Sequence, residues 1–259
     1  MGAGLLAAAA NIIMQLSWPE VGYGVFESTV DSGNVFRHPL KRNRTTLTYI
    51  AVAALGTEEE RKTYRTWVNK SHRQVRSTES SPVKYNAFDP ELQLWVAACL
   101  YMGFEDIFRL LGGGLDEAAR DEVYQSSATL GTTLQVRPDM WPADRAAFAE
   151  YWEKGLDRVH IDDSIRGYLT RLSRVEFLPA VVHRPLGRWT QWLTAGFLPP
   201  RFRDEMRFEW SDRDQRRFER LLRAIGAVAF RLPGPLRRCP FNYYLWNLRA
   251  RIRLNLPLT

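Results

Sequence analysis

The segment Pro90 to Met102 (PELQLWVAACLYM) constrains the fold more than any other part of the chain. Past Glu91 and Gln93 it is apolar on every side, with Leu92, Leu94, Trp95, Ala98, Cys99 and Tyr101. A helix that is apolar all round has to be buried all round. Asp89 offers an N-cap and Pro90 the first helical position, while Gly103 is the expected stop. Such a helix needs a shell of others, and the remaining sequence supplies one. Gly2–Leu16 is an apolar, alanine-rich helix. Arg42–Leu55 is helical and halts at Gly56. Thr57 and Glu60 form a capping box for a helix reaching about Val75. Further helices are expected at Phe104–Leu111, Asp116–Ser127, Ala143–Leu156 and Ser164–Leu172, then from a Ser211 cap towards Pro233, and over Phe241–Leu254. Trp18–Leu40, with Pro19, Gly22, Gly24, Gly33 and Pro39, reads as loop, and Pro179, Pro185 and Pro199-Pro200 read as turns. No strand series and no repeat is present. The expectation is an all-α fold, one domain over residues 1–259, with about ten helices.

The hydrophobic share of 45% against 25% charged residues is that of a globular chain, and nine tryptophans point to large buried aromatic faces. Cys99 and Cys239 form no C-x-x-C pair, which removes zinc ribbons and a disulfide framework. P-loop, G-x-S-x-G, H-E-x-x-H and G-x-G-x-x-G signatures are absent, so NTPase, hydrolase, zinc-protease and dinucleotide-binding readings lack support. Gly2–Leu16 has no basic flank and falls short of the ~20 residues that span a bilayer. It is read as a buried helix, not a signal peptide, and the expected location is cytoplasmic.

The formal charge of +7 is concentrated. Residues 201–253 hold fourteen Arg against six Asp and Glu. Such an end attracts anionic lipid or nucleic acid, while the interleaved acids also fit a solvated face. The expectation is no nucleic-acid partner, with peripheral membrane contact through residues 201–259 as the surface the charge allows. Arg213, Arg216, Arg217, Arg220 and Arg223 would carry it.

His72 is the most informative polar residue. Tyr64, Trp67, Val68, His72 and Val75 recur at helical spacing, which puts the imidazole on an apolar, aromatic stripe. Neutral imidazole in such a setting suits a haem ligand, and equally a core histidine bonded to a backbone carbonyl. Arg42 and Thr46 are four residues apart on one helix face. A buried Arg42 needs an anionic partner such as a haem propionate, and Thr46 is placed to donate a hydrogen bond to a bound ligand; a solvated helix start is the plainer reading. Glu27, among apolar neighbours in Val25-Phe26-Glu27-Ser28, is either a base or an exposed loop carboxylate. His160-Ile161-Asp162-Asp163 hints at a metal but has no second histidine at ligand spacing.

These pieces occur in a particular order. Met14-Gln15-Leu16, Pro19-x-Val21 and Gly24-Val25 are followed by Pro39-Leu40-x-Arg42, Thr46-Leu47-x-Tyr49 and Gly56-Thr57. Val68-Asn69-x-x-His72-x-x-Val75 and Tyr85-x-Ala-x-Asp89-Pro90-x-Leu92-x-x-Trp95-Val96 come next. The set resembles the haem-dependent oxygenase family of the fungal mycophenolic-acid-pathway oxygenase and the bacterial latex-clearing (rubber) oxygenases. The likeness is carried by residues 12–102, and the Arg-rich helix, the Pro-x-x-Leu-Arg-Arg turn and the final Arg-x-Arg also look like the family's C-terminal end. The resemblance implies a globin-like helical core around haem b, with His72 as iron ligand and with Arg42 and Thr46 on the distal side or at the propionates. It implies a catalytic glutamate at a distance that Glu27 approximates. Where rubber oxygenases carry a distal lysine this chain has Thr45, which implies an open or water-filled sixth position. It further implies cleavage of an isoprenoid C=C bond by O2, here in a small hydrophobic alkene or terpenoid. A peroxygenase or N-oxygenase, and a cofactor-free helical protein binding a membrane surface, are the alternatives.

Overall fold

The computed structural model describes residues 2–258, and it is all-α. A 3-10 turn, Gly2–Ala7, leads into α1 (Ala8–Leu16), and α2 follows at Pro19–Phe26. Next come α3 (Pro39–Leu55), α4 (Glu58–His72), α5 (Pro90–Leu110), α6 (Glu117–Ser127) and α7 (Thr129–Thr132). The second half holds α8 (Arg145–Leu156), α9 (Asp163–Ser173), α10 (Ala180–Phe197) and α11 (Pro200–Met206). It closes with α12 (Asp212–Ala229), α13 (Gly234–Arg238) and α14 (Phe241–Arg253). Among the described residues the β structure amounts to one antiparallel bridge, Arg76 to Asn86.

As its composition requires, α5 is the central element, with Leu92, Leu94, Trp95, Ala98, Cys99 and Tyr101 all buried. Around it the aromatic residues stack. Trp18 lies 4.6 Å from Trp95 with the rings nearly parallel, and Trp152 of α8 covers the other side at 5.1 Å. Both inner indoles are satisfied: Trp18 Nε1 donates to the Gly155 carbonyl and Trp95 Nε1 to that of Met14. Burying aromatic area of this size with its polar atoms paired is the largest favourable contribution such a core makes. The expected caps are present: Asp89 accepts from the Glu91 amide, Thr57 and Glu60 form the reciprocal capping box, and Ser211 and Asp214 form another.

Three expectations are corrected. The region expected as loop, Trp18–Leu40, contains α2, in which Pro19 occupies the first turn. Its Gly22 is there for close approach, since a Cβ at that position would stand 2.7 Å from the Leu16 carbonyl oxygen. Gly103 does not end α5, which runs on to Leu110. A side chain at 103 would strike Asn11 of α1, whose buried amide donates to the Cys99 carbonyl at 2.6 Å. The prolines at 179 and 185 do not mark turns; they cap and enter α10, with Pro185 near its exposed start. Pro199 and Pro200 likewise open α11.

Candidate functional site

α3 begins at Pro39 and carries Lys41, Arg42 and Arg44 within its first two turns, with no acid in the first turn. Cations there oppose the helix dipole. Burial pulls the Arg42 guanidinium below the ordinary arginine value, and the groups that partly offset this are Tyr168 of α9 and Tyr64 of α4. Neither is a carboxylate, so the cation sits in the fold without a counter-ion. The Nε of Arg44 is also buried without a partner. A guanidinium held partly out of water without a counter-ion is one that an incoming anion would stabilise.

α4 ends on His72. Burial, joined by the charge of Arg42, pushes its pKa down to about 4, so the imidazole is neutral near pH 7. Its Nδ1 is buried and has no hydrogen-bond partner. The core histidine bonded to a carbonyl, expected as the plain alternative, is therefore not what the fold contains. Phe88 stands edge-on to the ring, with centroids 6.2 Å apart. Of the stripe on α4, Tyr64 and Val68 are buried, whereas Trp67 and His72 are half-buried, as are Arg42 and Thr46. These four side chains therefore keep some accessible surface beside the buried Tyr64 and Val68.

Thr46 lies one turn beyond Arg42 on the same face of α3. Its neighbour Thr45 is engaged with the backbone: its hydroxyl donates to the Lys41 carbonyl at 2.9 Å, and its own carbonyl accepts from Tyr64 Oη at 2.8 Å. Glu27 is the C-cap of α2 and does not stand in an open loop. Its Oε2 accepts from Ser81 Oγ at 2.6 Å and from Tyr85 Oη at 2.8 Å. Both donors belong to the segment after His72, which is folded back by Val75 N–H to the His72 carbonyl and Ala87 N–H to the Val75 carbonyl. The fold thus brings His72 and Arg42 together with Tyr64 and Tyr168, and sets Glu27, at the end of α2, against the segment that follows His72. No local pattern in the sequence points to Tyr168, which lies 126 residues from Arg42. Of the other histidines, His38 Nε2 meets Asp31 at 2.6 Å on the surface, His160 is exposed, 4.0 Å from Glu205, and His183 is half-buried on α10.

A sequence model of the family described as ER-bound oxygenase mpaB/B'/Rubber oxygenase, catalytic domain, matches residues 1–227. The chain belongs to this oxygenase family. The match runs well past residues 12–102 but stops before the Pro-x-x-Leu-Arg-Arg turn and the final Arg-x-Arg, which lie outside it. Two uncharacterized proteins, from Mycobacterium bovis and Mycobacterium tuberculosis, are each 52% identical over 249 residues, covering 96% of this chain and 98% of their own length. No solved structure matches the chain. No helix among the described residues is long and apolar enough to cross a membrane.

Proposed function

We propose that this member of the oxygenase family is haem b-dependent and acts on a hydrophobic alkene or terpenoid-type small molecule, cleaving a C=C bond with O2. The observation that carries the reading is the pairing of a neutral, unpartnered His72 with an Arg42 that has no counter-ion. Haem b would fit both: His72 would hold the iron and Arg42 a propionate carboxylate. Among the described residues no three His, Cys, Asp or Glu side chains converge, so His72 offers one ligand and a macrocycle would provide the others.

When bound, haem supplies the iron centre at which O2 is activated so that each alkene carbon leaves as a carbonyl. The protein's own residues set the conditions. His72 presents a lone pair without first losing a proton, because burial keeps it neutral. Arg42 would hold an anionic substituent of the group. Thr46, on the same face, would donate a hydrogen bond to a bound ligand. Trp67, Phe88 and Tyr168 limit water and favour an apolar substrate. Glu27 is braced through Oε2 by Ser81 and Tyr85, which leaves its other oxygen for moving a proton.

The deciding measurement is the absorbance spectrum of the protein purified from cells supplied with a haem precursor, alongside His72→Ala. A Soret band in the wild type, lost in a variant that still melts cooperatively, supports the reading. No Soret band in the wild type, or wild-type haem content in His72→Ala, overturns it.

A further inference from the structure

From Arg220 to the end of the chain, forty residues contain eight arginines and not one Asp or Glu. Thirty-two of these forty residues lie beyond the family match, which ends at residue 227. Basic character alone is common. What sets this stretch apart is the apolar surface it leaves facing outward: Val228, Leu232, Leu236, Tyr243, Trp246 and Leu254 are all exposed, Trp246 at 62% and Leu236 at 58%. Arg231, Arg237 and Arg238 are exposed among them.

The segment is fastened to the body, so this surface is preformed. Phe230 packs edge-on against Phe108 of α5 at 5.7 Å. On α14, Phe241, Leu245 and Leu248 are buried, and Arg249 reaches Glu60 of α4 at 2.6 Å. The opposite stripe of α14, read at steps of three and four, is Tyr243, Trp246, Ala250 and Arg253, with the first two rings 6.1 Å apart.

We infer that the surface of residues 228–256 docks the protein on an anionic lipid bilayer, with arginines at the phosphates and Trp246, Tyr243 and the leucines in the headgroup–acyl boundary. Charge selects this occupant. A second copy would set arginine against arginine with no acid to offset it. A nucleic acid would satisfy the arginines but leave the aliphatic side chains without an apolar environment. A bilayer surface supplies both, and tryptophan and tyrosine favour its interface. No helix among the described residues is long and apolar enough to cross a membrane, and the proposed contact is one of this surface. The inference moves the lipid-facing surface from the expected Arg213–Arg223 stripe, where Asp212, Asp214 and Glu219 intervene, to the acid-free stretch beyond it.

Flotation of the full chain with vesicles of phosphatidylcholine alone, and of phosphatidylcholine with phosphatidylglycerol, tests this. Binding is expected to the anionic vesicles only, weakening steeply with salt. Neutralising Arg231, Arg237 and Arg238 together to Gln removes three surface charges at about fivefold each, so binding should fall about 100-fold. Brominated lipid should quench part of the tryptophan emission in the wild type and much less in Trp246→Phe, a change that leaves the fold intact because the side chain is exposed. Equal binding to both vesicle types, no binding at low salt, or an unaltered triple variant would overturn the inference. So would a stable dimer that buries Trp246, or capture by an oligonucleotide in preference to vesicles.

Discussion

Arg42 of α3 and His72 of α4 lie within reach of each other's charge, and the guanidinium helps to hold the imidazole neutral. Removing it has two separable consequences. In Arg42→Met the haem-free protein should show the His72 pKa rising from about 4 towards its ordinary value, followed by NMR of the ring protons. The same variant should retain haem about 10- to 100-fold less tightly, because a charge-assisted pair with a carboxylate is lost. An unchanged ring titration would show that Arg42 does not act on His72.

Thr45 and Thr46 form an internal control. Thr46→Ala should keep the Soret band yet lower turnover by about 10-fold or more, the loss of one hydrogen bond that strengthens in the transition state. Thr45→Ala should leave turnover unchanged, since its hydroxyl is spent on the Lys41 carbonyl. Equal effects in steady-state assays of the two variants would remove Thr46 from the mechanism.

Glu27 holds the segment after His72 through Tyr85 and Ser81. Glu27→Ala should cost about 1–3 kcal/mol of unfolding free energy in urea, the penalty for stranding two donors. A double-mutant cycle with Tyr85→Phe should show coupling of about 1 kcal/mol. Glu27→Gln retains an acceptor and should recover most of the stability; if turnover nonetheless collapses, the carboxylate moves a proton, and if turnover survives, its role is to brace.

Tyr23 of α2 donates its phenol to Asp162, the N-cap of α9. Burial works to raise the Asp162 pKa, but the bonds from Tyr23 and from the α9 amides outweigh it, and the net shift is downward. Its stabilisation is therefore full above the unfolded carboxylate pKa and is lost as pH falls through the lower folded value. The phenol is shifted the other way, raised first by the bond to Asp162. Its contribution is full below pH 10 and disappears as pH rises through the folded pKa. Tyr23→Phe should flatten both limbs of a plot of melting temperature against pH. A variant that keeps the wild-type slopes at both ends would show that the bond does not set them.

How much of this was legible in the sequence depends on the range of the interaction. The capping boxes at Thr57 and Ser211 and the apolar circumference of α5 are local, and each was readable from its own few residues. His72 was placed by periodicity and Arg42 by its spacing from Thr46. What the sequence could not show is why a glycine or proline is present. Gly22 and Gly103 resemble breakers until the Leu16 carbonyl and the Asn11 amide are seen against them. Pro185 resembles a turn residue, but it sits near the start of a helix whose packing lies further along. Tyr168 and the unpartnered Nδ1 of His72 depend on α9 and on the segment around Phe88 closing over the site.

α14 makes the most extensive helix–helix contact in the molecule, and its partner is α3, the helix that bears Arg42 and Thr46. It does so from outside the stretch that matches the family. The region shared with the family model therefore leaves out a helix that packs on α3. A chain ended at residue 227 would strip α3 of the cover provided by Phe241, Leu245 and Leu248 and leave Glu60 without Arg249. Expressed alone, that fragment would present a bare apolar wall behind its own active helix, and aggregation in the absence of the last thirty-two residues would reflect the missing wall and not a defect in the oxygenase core.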